Sequence, residues 1–537
     1  MKKKIISYLA GICFIASLST GCIDETIPTN TITSDQLTSS SKATEALVWA
    51  IPAFANNFQT VTTNHYDWGY GSIMHIRDVM TEELTVVSST YDWYTSWANN
   101  TYLSEDYAYG QFIWNFFTQF IQTSNNLISA IDPETATEVQ KGYLGMGHAF
   151  RAFQYLDMAQ MFEFLENDKT IPVNAAGNNV LKLTIPIVTE QTTEEAARNN
   201  PRATRQVMYE FILSDLNAAE EYLAGVARPS KTLPDLSVVY GIKARLYMWV
   251  GDYTNARLYA RQAIVTGGNT PTSKDEWLDT KSGFNTLATS SWMLGSQMDA
   301  EDNVVKSGIL NWTSWMANET EFGYAGAGPY SMIDARIYSQ ISNEDFRKLS
   351  WKAPEGHALY GKTPYINDEI GAQLPTYVST KFRPASGNTA DFKVGAASAY
   401  PMMRVEEMFF IEAEAAAHLN AAEGKELLEN FMKTYRYKNY SCRASDNEGV
   451  VNEIFFQKRV EFWGEGVSFF DYKRLNKPVT RGYSGTNHSD AIRFNTTTRP
   501  AWMNFCIVRN EKLSNPAVMD YENPDPSGLY TPWRENN

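Results

Sequence analysis

Residues 244–264 read ARLYMWVGDYTNARLYARQAI. Ala244 and Tyr247 fall on one helical face before Gly251-Asp252-Tyr253, and Ala256, Ala260, Ala263 and Ile264 fall on another after it. The stretch predicts two helices joined by a tight turn. Small residues sit where the helices cross and an aromatic ring fills the groove between units, which is the pattern of a tetratricopeptide repeat.

Such a unit cannot bury its faces alone, so other helices must complete the array. Residues 404–419, RVEEMFFIEAEAAAHL, read as the first helix of another unit, with alanines at the crossing positions. Phe150, Phe153, Leu156 or Asp157, and Met161 step by three and four, as do Ile212, Leu216, Ala219 and Leu223, with Asp215, Glu220 and Glu221 turned outward. Residues 112–131 and 451–462 are further candidates. The segments between differ in kind: residues 266–400 are interrupted by Gly and Pro, residues 60–105 are polar, and residues 474–537 are rich in turns. Long irregular segments on a rigid scaffold are where function concentrates.

The chain begins with the basic residues Lys2, Lys3 and Lys4, an apolar run from Ile5 to Leu18, and then Ser19-Thr20-Gly21-Cys22. This is the order of a secretory signal peptide, and the run is too short to serve as a stable spanning anchor. Leu18 to Cys22 resembles the lipobox of bacterial lipoproteins, in which the cysteine is acylated, although the leucine stands one place early. An ordinary signal peptide with a chance cysteine is the alternative. Several acyl chains on Cys22 would anchor the protein stably. The acidic residues Asp24 and Glu25, just after Cys22, resemble a surface-export signal of Bacteroidetes lipoproteins. A Thr, Ser and Asn-rich tether follows to Lys42.

Loss of the three leading lysines leaves 43 Lys and Arg against 61 Asp and Glu, a net charge of −18. A body this acidic argues against nucleic acid and anionic lipid as partners. Beyond Cys13 and Cys22 only Cys442 and Cys506 remain, which could pair or stay as buried thiols.

Several stretches carry a resemblance in order along the chain. These are Phe150-Arg151-Ala152-Phe153-Gln154-Tyr155, Ile185-Pro186-Ile187-Val188, Arg202-Ala203-Thr204 with Ile212 to Leu216, and the repeat at 244–264. Then come Tyr400 to Glu407 with Glu412-Ala413-Glu414-Ala415, Arg459 to Gly466 with Phe470 to Arg474, and Asn510 to Pro516 with Asn523-Pro524. Together they resemble the SusD/RagB family of outer-membrane nutrient-binding lipoproteins, with Val508 standing where that family usually has proline. The resemblance implies a mainly α fold: a SusD-like helical scaffold with tetratricopeptide-type helix pairs and long irregular ligand-binding loops. It divides the chain into a signal peptide (1–21), a lipidated tether (22–42), an N-terminal helical part (43–265) and a C-terminal part with the loop-rich ligand region (266–537). It further implies a non-enzymatic, lipid-anchored, cell-surface protein. Such a protein closes as a lid over a SusC-like TonB-dependent transporter and delivers an oligosaccharide or, in some members, a peptide.

Residues 89–102, STYDWYTSWANNTY, then gain a reading. Sugars offer C–H faces flanked by hydroxyls, so a binder needs flat rings beside Asn, Asp or Arg. The expected ligand-binding residues are Tyr91, Asp92, Trp93, Tyr94, Trp97 and Asn99, with Asp67, Trp68 and Tyr70 from a second cluster. Trp312, Trp315 and Tyr324 come from a second wall. The alternative is that these rings are loop packing. A peptide carrier would instead use charged groups such as Arg77 or Arg383. An all-helical glycoside hydrolase would need two carboxylates converging in an aromatic cleft. Glu461, Glu465 and Asp471 read as structural, paired with Arg459, Lys473 and Arg474. The six histidines show no close metal-ligand spacing, and neither Gly482 to Gly485 nor Gly323 to Gly328 has the context of a catalytic or phosphate loop. No catalytic residue, metal or cofactor is assigned; a structural calcium ion on surface carboxylates stays open.

Overall fold

The computed structural model describes residues 41–86 and 92–535. The signal peptide, Cys22, the tether as far as residue 40, and Tyr91 lie outside the described residues. In the first half of the chain run helices α1 (Ser41–Phe54), α2 (Tyr70–Val79), α3 (Ala108–Ser129), α4 (Glu138–Phe162), α5 (Arg205–Leu223), α6 (Leu236–Val250) and α7 (Tyr253–Gly267). In the second half run α8 (Val405–Leu419), α9 (Ala421–Tyr435), α10 (Asn447–Glu461) and α11 (Ser468–Arg474).

The stretch that opens the reading forms α6 and α7. Gly251 ends α6 in left-handed backbone at φ 80°, where a side chain would be strained, and the Asp252 carboxylate caps α7 by accepting the Asn255 N–H at 3.1 Å. Ala256, Ala260 and Ala263 are buried at the crossing. Packing then passes from helix to helix: α3 on α4, α4 on α5, α5 on α6, α6 on α7, α7 on α8, and α8 on α9 and α10. Arg245 of α6 and Arg261 of α7 donate to Glu407 and Glu412 of α8 at 2.7 and 2.8 Å, which ties the two repeat units together. At the α8–α9 turn a Cβ on Gly424 would lie 2.4 Å from the Ala417 Cβ, so only glycine permits that approach.

Asp215, expected to face outward, is buried. Arg151 donates to its carboxylate at 2.8 and 2.7 Å and His148 lies 2.7 Å from it. Burial pushes the Asp215 carboxyl up, and Arg151 and His148 outweigh that and hold it below the usual carboxylate range.

Residues 268–398 contribute short helices and one strand to each of two antiparallel pairs. Strand β1 (Leu84–Val86) pairs with β3 (Ser331–Ile333), Leu84 opposite Ile333, and β2 (Trp292–Gln297) pairs with β4 (Ala399–Arg404). The first pair stitches the polar N-terminal loop to the loop-rich C-terminal part. One hydrophobic core runs through both parts, from Val48 to Tyr530.

The carboxylates read as structural are indeed paired, mostly with partners other than those expected. Glu461 binds Arg347, Arg404 and Arg436, and Glu465 binds Lys381 and Arg404. Asp471 binds Lys458 and Arg474. Arg459 turns instead to Glu82 and Glu83, and the Lys473 ammonium donates to the carbonyls of Met161 and Met503. Burial pushes the Glu461 carboxyl up, and the guanidiniums of Arg436, Arg347 and Arg404 overcome it and hold the group well below the carboxylate range. Cys442 and Cys506 are buried free thiols.

Candidate ligand-binding surface

The aromatic residues of three loops converge on one cluster. Trp97 follows Tyr94 on the short helix Thr95–Ala98, Trp312 and Trp315 lie on Trp312–Met316, and Tyr324 lies on Gly323–Ala327. Trp315 stacks on Tyr324 with ring centroids 3.7 Å apart and meets Tyr94 edge-on at 4.7 Å. The Trp68 indole N–H donates to the Tyr94 hydroxyl at 2.8 Å, and Trp312 stacks on Tyr400 at 5.0 Å. Trp68, Tyr94, Trp97, Trp312, Trp315 and Tyr324 are all at most 4% exposed, so the cluster is packing in this conformation. Tyr70 stands apart, its hydroxyl donating to Asp157 at 2.6 Å beside Arg77.

Solvent meets this cluster along a rim. Of the residues expected from sequence, Asp92, Trp93 and Asn99 are half-exposed. His65 stacks on Trp93, and its Nδ1 hydrogen-bonds the Tyr324 hydroxyl. Burial lowers the His65 pKa, so the ring stays neutral near pH 7. Two carboxylates lie near the rim and both are committed to backbone. Asp67, fully buried, accepts the N–H groups of Val61 and Thr62 at 2.8 and 2.7 Å, and Asp92 accepts that of Tyr94 at 2.9 Å. Burial raises the pKa of each.

Tyr102, the last ring of the 89–102 stretch though not among the expected ligand-binding residues, continues the rim with Tyr107 and Tyr109. Tyr102 is 52% exposed and Tyr107 42% exposed, with ring centroids 4.9 Å apart, and Tyr109 stacks parallel to Tyr102 at 6.4 Å. Tyr109 meets Trp97 edge-on at 4.8 Å and Tyr66 at 5.6 Å, and Asn64 donates to the Tyr66 hydroxyl at 2.7 Å beside His65. The exposed tyrosines are linked to the His65–Trp93 pair indirectly, through a run of buried rings from Trp97 to Tyr94, Trp315 and Tyr324. Tyr102 and Asn100 both hold left-handed backbone, at φ 57° and 55°. Such positions cost about 1–3 kcal/mol for a residue other than glycine and persist where surrounding structure fixes them. Here the fixing bonds are Thr101 N–H to Ser96 O at 3.0 Å, Gly528 N–H to Asn100 O at 2.9 Å and Leu103 N–H to the Ser527 hydroxyl at 2.9 Å. The signal in sequence is Tyr102 and Tyr107 just ahead of α3 with Tyr109 in its first turn.

The charged groups that a peptide carrier would use are spent elsewhere. Arg77 is buried against Asp157 at 2.7 Å, and Arg383 is buried against Glu319. Among the described residues no group of His, Cys, Asp and Glu is placed to hold a metal ion.

The helical array and its loops have counterparts among known proteins. The family described as starch-binding and associating with the outer membrane matches residues 36–248, and the SusD family matches residues 256–524. The chain belongs to the SusD family, whose members are binding proteins. Among solved structures it resembles a SusD-like carbohydrate binding protein from Bacteroides vulgatus ATCC 8482, at 21% identity over 89% of this chain and 98% of that one, with a TM-score of 0.70. A SusD superfamily protein from Bacteroides thetaiotaomicron VPI-5482 matches at 17% identity over 90% and 99%, with a TM-score of 0.67. Another from Bacteroides fragilis matches at 18% over 89% and 99%, with a TM-score of 0.62. At these identities the likeness shows the fold. A comparison with curated proteins found no match. No helix among the described residues is long and apolar enough to cross a membrane.

Proposed function

We propose that this protein is a non-enzymatic, lipid-anchored protein of the cell surface that captures an oligosaccharide on exposed aromatic rings. It would deliver that cargo to a SusC-like TonB-dependent transporter in the outer membrane. The observation that carries this reading is the rim itself: Tyr102, Tyr107, Trp93 and His65 reach solvent on a rigid base, with Asn64 and Asn99 beside them. Flat rings stack on the C–H faces of a sugar, and amides satisfy its hydroxyls in both directions. The buried members Asp67, Trp68, Tyr94, Trp97, Trp312, Trp315 and Tyr324 serve by holding that rim, while Tyr70 braces the scaffold at Asp157. Burial of Arg77 and Arg383 in ion pairs favours a neutral glycan over a peptide with charged termini. The engagement of Asp67 and Asp92 by backbone N–H groups favours binding over hydrolysis.

Affinity electrophoresis of the soluble protein beginning after Cys22, in gels carrying plant, host and microbial polysaccharides, tests the reading. Retardation by one polymer without release of shorter products is the expected result. Shorter products would replace capture with hydrolysis.

A further inference from the structure

One face of α3 carries Gln111, Asn115, Thr118 and Gln122 at helical steps of four, three and four. Gln111 follows Tyr107 by one turn, its N–H reaching the Tyr107 carbonyl at 3.4 Å. From Tyr107 to Gln122 the helix rises about 22 Å. Along it lies a cleft of about 360 Å³, lined also by Ile185, Pro186 and Val188 and by Asn510, Glu511 and Ser514.

The cleft is built rather than incidental. Tyr155 fixes Val188 by donating to its carbonyl at 2.7 Å and accepting its N–H at 2.8 Å, and Asn125 donates to the same carbonyl at 3.1 Å. Trp114 and Ile121, each 4% exposed, give it an apolar lining. Gln111 donates to the Asn115 Oδ1 at 2.5 Å and Gln122 donates to Asn126 at 2.7 Å. Those bonds leave the Gln111 and Gln122 carbonyl oxygens and the Asn115 amide N–H₂ group for a ligand.

Its charge is the informative feature. Of the lining residues only Glu511 is ionisable with a charge at neutral pH, and it accepts from Asn515 at 3.0 Å. An ionic ligand would lose water here and gain no counter-charge. Amides beside an aromatic and apolar lining match a neutral chain that offers hydroxyls and C–H faces.

We infer that this cleft is a second glycan subsite, which takes the continuation of a neutral polysaccharide chain held at Tyr102 and Tyr107. The inference rests on the proposed glycan capture and extends it along α3. It makes the protein prefer polymer over short fragments, because only a long chain reaches both places.

The test uses native gels containing starch, laminarin, xylan or galactomannan. Thr118→Trp fills the cleft from an exposed position, and Asn115→Leu removes its amide without added bulk. With the polymer that retards the unmodified protein, each variant should bind about tenfold more weakly, the scale of the hydrogen bonds to the cleft that are lost or blocked. Binding of a trisaccharide cut from that polymer should be unchanged. Polymer binding by both variants at full strength overturns the subsite while leaving the rim intact. Loss of binding in Thr118→Trp and Asn115→Leu with full binding in Trp93→Ala and Tyr102→Gly would keep the subsite and discard the rim. No retardation of the unmodified protein by any of the four overturns the neutral-glycan assignment at both places.

Discussion

His65 lies over Trp93 with ring centroids 4.7 Å apart and 28° between the planes, and the same imidazole hydrogen-bonds the Tyr324 hydroxyl. One side chain therefore joins three loops, and it leaves Trp93 held on one side and half-exposed. Trp93→Ala should weaken oligosaccharide binding by about 1–3 kcal/mol, the scale of aromatic stacking. The melting temperature should hardly move, because a half-exposed ring contributes little to the core. His65→Ala should weaken binding less, since it removes the support and leaves the platform. Calorimetric titration beside a thermal melt separates the two roles. A large fall in melting temperature for Trp93→Ala would make that ring packing.

Tyr102 offers a cleaner separation of strain from recognition. At φ 57° the backbone there is one that glycine adopts freely. Tyr102→Gly should leave stability equal or raise it by up to about 1 kcal/mol, since relief of strain offsets the freedom glycine adds to the unfolded chain. Binding should fall by about 1–3 kcal/mol with the lost ring. Unfolding in urea with a matched binding assay checks both. A variant that binds as well as the unmodified protein would remove Tyr102 from the site.

The helices were legible in sequence because period and turn chemistry are local. Ala256, Ala260 and Ala263 mark a crossing whatever packs on it, and Gly251 marks its turn. The loops were legible in composition but not in orientation. Trp93 and Trp97 stand four residues apart in a polar segment, yet one is half-exposed and the other buried against Tyr66 and Tyr109. Which ring turns inward depends on residues tens to hundreds of positions away, such as Trp315 and Tyr324, and no local pattern encodes that. Asp215 misled for the same reason: its partner Arg151 lies on another helix. Tyr102 is legible as a ring of the aromatic stretch but not as an exposed one, because left-handed backbone at a tyrosine has no sequence signature beyond the Asn99-Asn100 before it.

Cys22 lies outside the described residues, and its role is testable in cells. Cys22→Ala should move the protein from the membrane fraction to the soluble fraction, because the acyl chains are its expected anchor. Fractionation followed by immunoblotting reads this directly. Persistence in the membrane fraction would mean that the lipobox reading is wrong.

His75 sets a pH dependence that begins above the carboxylate range. The ring is fully buried between Tyr94, edge-on at 4.4 Å, and Trp315 at 5.8 Å, and neither nitrogen has a hydrogen-bond partner among the described residues. Burial lowers its pKa from 6.5 to about 3. The unfolded chain therefore takes up a proton as pH falls through 6.5, while the folded chain does not until about pH 3. The neutral ring's contribution is fully present above pH 6.5 and is lost progressively down to about pH 3. At about 1.4 kcal/mol per unit that loss amounts to roughly 3–5 kcal/mol over the whole window. Carboxylates held below their usual range, such as Glu461 and Asp215, lose stability only once pH falls toward the unfolded carboxylate values, and carboxyls raised by burial, such as Glu522 at about 8, act with the opposite sign but are the same in both proteins, so a difference in slope between pH 6.5 and 5 belongs to His75. His488, also buried with a lowered pKa, contributes in the same direction and stays in place as an internal reference. His75→Phe keeps an aromatic ring between Tyr94 and Trp315 and removes the unpartnered nitrogens. It should match or exceed the unmodified protein at pH 7, because an unpartnered buried polar group costs about 1–3 kcal/mol. It should also lose distinctly less stability between pH 6.5 and 5. Urea unfolding at half-unit steps of pH measures the two slopes, and equal slopes would show that His75 takes up its proton in the folded state as readily as in the unfolded one.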